Sequence, residues 1–168
     1  MTTELVTVAA LSSNRVIGNK NKIPWDYPED RKHYKSLVEN KVVIAGRVTY
    51  EMLSDSMNID RAIVLTSDTA YQPEKHNPIV VNSKEEALSV IDSIDAEAVY
   101  NLGGGSVYEL LLPETDRMIL THIWDSYEGD AYFPEFERSD WEQVRVYDEP
   151  SHEDYSVIEY KRVYYPSG

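Results

Sequence analysis

Short runs rich in Val, Ile and Leu alternate along this chain with stretches of amphipathic helical spacing. That alternation constrains the fold more than any other feature. Strands buried on both faces read as continuous apolar runs, and the helices that cover them show one apolar stripe, so the pattern is that of an α/β domain. It predicts strands at 5–11, 42–45, 62–66, 79–81, 98–102 and 117–123, and helices at 28–39, 47–53, 84–94 and 106–112. The last third changes character. Segments 141–147 and 155–164 read as alternating strands, an antiparallel hairpin closing one sheet edge, with 148–154 as its loop. Repeats, low-complexity tracts and flexible linkers are absent, so 1–168 is expected to be a single domain.

Composition narrows the chemistry. The chain has 168 residues and no Cys, which excludes disulfides, thiol catalysis and cysteine-held metals. Its 4 His show no ligand spacing, so no metal site is expected. Acids outnumber bases 30 to 16, a formal net charge of −14 that repels nucleic acid and anionic membranes. The acids are dispersed, which reads either as an ordinary acidic protein or as a salt-adapted surface whose self-repulsion molar salt would screen. There is no secretory leader and no run long enough to span a bilayer, so a cytoplasmic protein is expected.

Pro28 suits the first position of a helix, and Glu29 and Asp30 suit its first turn. Counting on from Asp30, Tyr34 lies one turn away and Leu37 and Val38 two turns away, so Asp30 opens the apolar stripe. One reading is simple complementation of the helix dipole. The other is a buried carboxylate, costly unless something hydrogen-bonds it or pairs with its charge, and therefore a receptor for a cationic or multi-donor ligand.

Two strand-to-helix junctions have the build of anion sites. In one, Ala98–Leu102 runs into Gly103, Gly104 and Gly105 and then a helical stretch from Ser106, where bare backbone lets a ligand approach free N–H groups. Three glycines exceed what a turn needs. In the other, Val42–Ala45 leads through Gly46 to Arg47. A guanidinium in a first helical turn is mildly unfavourable until an anion binds; the alternative is a solvated Arg47–Glu51 pair at i, i+4. Thr66 and Ser67 end a third strand on the side where open α/β sheets take ligands. After Leu11 comes a long connection holding Gly18, Pro24 and Trp25, built like a loop that folds over a pocket.

Taken together, these segments resemble dihydrofolate reductase from about Leu5 to the final strand. The resemblance is carried by Ala9-Ala10, Val16-Ile17-Gly18, Pro24-Trp25 with Asp30, Gly46-Arg47 with Thr49-Tyr50-Glu51, and Ile63–Thr66. Beyond these come Leu102–Gly105 with Val107-Tyr108, Leu120–Ile123, and Glu128-Gly129-Asp130 with Phe133-Pro134. It implies a mostly parallel eight-stranded central sheet with an antiparallel C-terminal hairpin, flanked by four helices. It also implies a monomer that reduces dihydrofolate to tetrahydrofolate with NADPH, supplying one-carbon metabolism. The acidity adds a resemblance to halophilic archaeal members.

By the same resemblance Asp30 is the pterin-binding acid, accepting from the ring's N3 and 2-amino groups, while water delivers the proton to N5. Thr121 would support Asp30 through a water, and Trp25 would help hold another. Ile23 rides the mobile loop, and Tyr34 packs on the folate with Met57 opposite. Ala10, Ile17 and Gly18 line the nicotinamide. Gly46, Arg47, Val48, Thr49, Thr66 and Ser67 fall on the phosphate and adenine end, with Arg47 on the 2′-phosphate. Leu102, Gly103, Gly104, Gly105, Ser106, Val107 and Tyr108 form the glycine junction, with a cis Gly103–Gly104 link; Ser106 stands where many relatives carry a second Arg. Arg31 and Arg61 are the candidate anchors for the glutamate tail, and Asp130 matches an acid that braces the mobile loop. A same-fold alternative, the reductase of riboflavin synthesis, has no need of the Trp25 and Asp30 pair; a binding module without catalysis would differ only in activity.

Overall fold

The computed structural model describes residues 3–53 and 57–164. In chain order the elements are β1 (Glu4–Ser12), β2 (Val16–Gly18), α1 (Pro28–Val38), β3 (Val42–Gly46), α2 (Arg47–Met52), β4 (Arg61–Leu65), β5 (Ile79–Val81) and α3 (Lys84–Ser93). There follow β6 (Ala98–Asn101), α4 (Gly105–Leu111), β7 (Arg117–Ile123), β8 (Ala131–Tyr132), β9 (Trp141–Val146) and β10 (Tyr155–Arg162). Eight strands form one sheet in the order β5-β4-β3-β6-β1-β7-β10-β9. The first six are mutually parallel, and β10 runs antiparallel to both β7 and β9. The sheet, the closing hairpin and the four helices are those the sequence led us to expect.

Two strands were not expected. β2 and β8 pair antiparallel as a separate ribbon. At three and two residues they are too short to show a period-2 pattern. Helix α4 also tightens into a 3₁₀ turn over Leu112–Glu114, where Pro113 removes a backbone donor.

Strand alternation divides the core into two faces. On one, Val6, Val8, Val43, Ala45, Ala62, Ile119, Ile123 and Val157 pack with Val38 of α1, flanked by Tyr34, Leu37, Met57 and Ile59. On the other, Leu5, Ile44, Ile63, Leu65 and Val99 meet Ala87 and Ile91 of α3 and Val107 and Leu111 of α4. Each such side chain contributes about 1.5–3 kcal/mol when fully buried. This division positions the site. Ala10 of β1 and Thr121 of β7 are register partners, and by parity with Val8 and Ile119 both face α1 near the carboxyl ends of the parallel strands.

Candidate functional site

Pro28 occupies the start of α1, with Glu29 and Asp30 in its first turn. Asp30 is 9% exposed although it stands among aromatic and aliphatic neighbours. Its Oδ1 accepts a hydrogen bond from the Thr121 hydroxyl at 2.7 Å. The contact is direct, which corrects the expectation of a water between them: the first turn of α1 lies close enough to β7 to leave no room for one. Burial raises the Asp30 pKa above its ordinary value, opposed by the Thr121 bond and by the charge of His33, one turn along α1. One lone-pair site of a carboxylate that has about four is thus used, and the rest are available to a donor pair.

Tyr34, Met57 and Trp25 are half-buried on this same face and pack against its core cluster. Burial also raises the Tyr34 pKa, so its hydroxyl stays protonated at ordinary pH. Trp25 meets the Tyr127 ring edge-on at 5.2 Å. Ile23, 57% exposed, projects from the connection between β2 and α1. Arg31 is exposed beside Asp30 and pairs with Asp26.

Arg61 is placed apart from these residues. It alternates with Ile63 and Leu65, so its side chain leaves β4 on the α3 and α4 face, whereas Asp60 and Ala62 have the α1 parity. The strand register therefore removes Arg61 from the Asp30 side.

The two glycine junctions lie side by side, because β3 and β6 are neighbours. The Gly46 N–H donates to the Gly103 carbonyl at 2.7 Å, which joins them directly. Gly103 has φ of 86° and a cis link to Gly104. A Cβ on Gly103 would run into the Tyr108 ring, and one on Gly105 would come within 3.0 Å of the Tyr132 carbonyl. At Gly104 a Cβ would come into van der Waals contact with the Thr49 hydroxyl at 3.5 Å, so the backbone there lies beside Thr49 of α2. A side chain at Gly104 would occupy the backbone surface beside Thr49.

Around these junctions, Arg47, Val48 and Ser106 are exposed, Leu102 is buried on the α1 face, and Thr66 and Ser67 follow β4. Arg47 donates to Glu51 at 2.7 Å across one turn of α2, the solvated pair weighed as one of its two readings. Val107 and Tyr108 lie beneath the junction. Their N–H groups both donate to the Gly104 carbonyl, and the Tyr108 hydroxyl donates to the Val8 carbonyl at 2.7 Å. Those donors are already used, so the two residues support the glycine turn from below.

The connection after β1 is pinned at its base. Asp130 accepts from the Lys20 N–H with both oxygens, at 3.2 and 3.1 Å, and its own N–H donates to the Gly18 carbonyl. Ile17 and Gly18 sit in this ribbon, Ile17 packed against the Phe133 cluster and 3.8 Å from where a Gly105 Cβ would lie. One residue of the site escaped the sequence reading. Asn101, fully buried, accepts the Gly103 N–H with its side chain. The signal was a polar residue ending an apolar strand two positions before a glycine.

A family model described as dihydrofolate reductase matches residues 4–165. The chain is 32% identical over 159 residues to a dihydrofolate reductase of Bacillus subtilis, covering 92% of each chain. It is 32% identical over 163 residues to one from Haloferax volcanii, covering 94% of this chain and 82% of that one. Its fold matches the dihydrofolate reductase of Enterococcus faecalis solved with NADP(H) and RAB-propyl. That match has a TM-score of 0.82 and 29% identity, over 96% of this chain and 99% of the other.

Proposed function

The chain belongs to the dihydrofolate reductase family, and from that membership we propose that it reduces 7,8-dihydrofolate to 5,6,7,8-tetrahydrofolate with NADPH. The product feeds the carrier pool of one-carbon metabolism. The observation that carries this reading is Asp30: a carboxylate 9% exposed, held from one side by Thr121, and facing a half-buried aromatic wall. A pterin's N3–H and 2-amino group form a planar donor pair that matches a carboxylate in two parallel hydrogen bonds. In the reading, Asp30 orients the ring and polarises it, water delivers the proton to N5, and Trp25 helps hold such water.

NADPH, when bound, supplies the hydride that reduces C6. The chain's part is to hold it. We assign the phosphate and adenine end to Arg47, Val48, Thr49, Thr66 and Ser67, and the backbone cradle to Gly46 and Leu102 through Ser106. The nicotinamide side falls to Ala10, Ile17 and Gly18. Arg47 takes the 2′-phosphate, since a planar fork suits phosphate. For the glutamate tail we take Arg31, which stands on the Asp30 side where Arg61 does not.

Loss of 340 nm absorbance on mixing the protein with NADPH and dihydrofolate tests the reading. No loss, with folded protein, removes it. We read the net charge of −14 as salt adaptation in a halophilic archaeal member, supported by the Haloferax volcanii relative. Activity that rises from low to molar salt would bear that out. We further take the enzyme to be a single-domain, cytoplasmic monomer with no nucleic-acid or membrane partner. No described helix is long and apolar enough to cross a membrane.

A further inference from the structure

Asn101 stands in the sheet interior, where neither neighbouring strand gives its side chain a hydrogen-bond partner. Its register partners are Ile44 of β3 and Thr7 of β1, and its strand-mate on the same face is Val99; Asn101, Ile44 and Val99 are each 0% exposed. An aliphatic side chain is the default in such a position. Instead the Asn101 Oδ1 accepts the Gly103 N–H at 3.0 Å, two residues on, an Asx turn in which a side chain replaces a backbone acceptor. Its Nδ2 is buried and has no hydrogen-bond partner among the described residues. A side chain kept at the expense of an unpaired donor calls for a purpose beyond packing.

That purpose is visible in what Gly103 does next. Its carbonyl accepts the Gly46 N–H at 2.7 Å, while the Leu102 N–H donates to the Ile44 carbonyl at 2.9 Å. The Tyr108 ring lies where a Cβ on Gly103 would go, so the turn is clamped from below as well. A continuous run, Asn101 side chain to Gly103 to Gly46, thus sets the spacing of the β6–α4 junction against the β3–α2 junction.

We propose that Asn101 is a positioning residue for the dinucleotide, acting through Gly103 to hold the two phosphate-facing junctions at the separation the cofactor needs. The inference rests on reading those junctions as the NADPH site. It assigns Asn101 no contact with the cofactor.

The test compares Asn101→Leu, which keeps the branched skeleton in a somewhat larger group and removes the acceptor, with Asn101→Ser, whose hydroxyl rebuilds the turn more weakly. Melting temperature and the equilibrium Kd for NADPH, by calorimetry without substrate, are measured beside the KM for dihydrofolate. We expect Asn101→Leu to stay folded and to bind NADPH about tenfold more weakly, with the KM for dihydrofolate within twofold. Asn101→Ser should recover most of the lost affinity. Should the Leu variant not fold, Asn101→Ala against Asn101→Ser differs by one hydroxyl and carries the same contrast. Equal NADPH affinity in the parent and the Leu or Ala variant overturns the proposal. So does a parallel loss of both ligands with a fall in melting temperature, which is the mark of a purely structural residue. A parent protein that binds no NADPH at all instead overturns the functional reading, and the proposal with it.

Discussion

Asp30 and Arg47, two of the charged residues assigned to ligand recognition, sit in opposite physical settings. Asp30 is 9% exposed, already hydrogen-bonded to Thr121, and raised in pKa by burial. Arg47 has 43% of its side chain in solvent and is tied to Glu51, itself 47% exposed. A charge removed from water interacts strongly because little screens it, whereas an exposed pair is worth roughly 0–1 kcal/mol and fades with salt. On the proposed assignments, the acid that meets the pterin is set in advance, at a standing expense in stability, whereas Arg47 would meet a phosphate only by leaving Glu51.

The sharpest way to break this comparison is Asp30→Asn. Asn keeps the acceptor for Thr121 and the shape of the group but loses the charge proposed to orient the pterin. Turnover at neutral pH should fall on the order of 10²-fold or more, with the residual activity rising toward low pH, where dihydrofolate arrives protonated. Unchanged turnover would remove Asp30 from the chemistry. The same variant tests the expense in stability. The folded pKa of Asp30 lies above its unfolded value near 3.8, so its contribution to stability is whole below that value and lost as pH rises through the folded one. The ligand-free variant should thus melt higher than the parent at neutral pH, with the gap closing as pH falls toward 4. A lower melting point at pH 7 would mean that the carboxylate is stabilising.

Arg47→Ala probes the other side. The KM for NADPH should rise about tenfold at low salt, the scale of one charge-assisted contact, while the KM for NADH stays within twofold. In molar salt, with a Debye length of about 3 Å, the NADPH effect should shrink. Equal effects on the two cofactors would place the 2′-phosphate elsewhere. Salt-independence would mean that Arg47 is buried on binding and that the two sides are less different than they look.

Thr121→Val has a smaller effect, on the preset side. It keeps the β-branch and removes the only hydroxyl that hydrogen-bonds Asp30 among the described residues. That bond lowers the Asp30 pKa, so without it the carboxyl should take up its proton at higher pH. The acid limb of the pH–rate profile should move upward, and turnover at neutral pH should fall roughly 3- to 10-fold, the worth of one hydrogen bond. A drop in turnover with a fixed acid limb would show that Thr121 positions the helix and does not tune the acid.

The preset side was also the legible one. Asp30 stood out because helical spacing predicts which positions a covering helix buries, and α1 runs from Pro28 as a proline in the first helical position implies. The open side gave only composition: glycines at two junctions, and an Arg whose two readings sequence could not separate. What sequence could not reach was set by registers and gaps between distant segments. Arg61 fell on the far face because it shares the parity of Ile63 and Leu65, and a shift of one position reverses the face. The direct Thr121 contact depends on how closely α1 approaches β7. The β2–β8 ribbon is too short to leave a period, and Asn101 declares itself only once Gly103 is seen two residues on with its N–H turned back.

The least disruptive probe, Glu51→Gln, acts on the open side alone. Glu51 holds Arg47 with one oxygen at 2.7 Å and receives the Tyr71 hydroxyl on the other at 3.3 Å, so the amide preserves shape while cancelling charge. If Arg47 must leave Glu51 to reach a phosphate, the exchange is easier once the carboxylate is neutral. The KM for NADPH should then fall by about twofold to threefold at low salt, the worth of an exposed i, i+4 pair, and not at all in molar salt. The KM for dihydrofolate should not move, because Glu51 is not among the groups that act on Asp30. A rise in the NADPH constant would mean that Glu51 aims Arg47 rather than competing for it, and the cofactor side would then be preset as well.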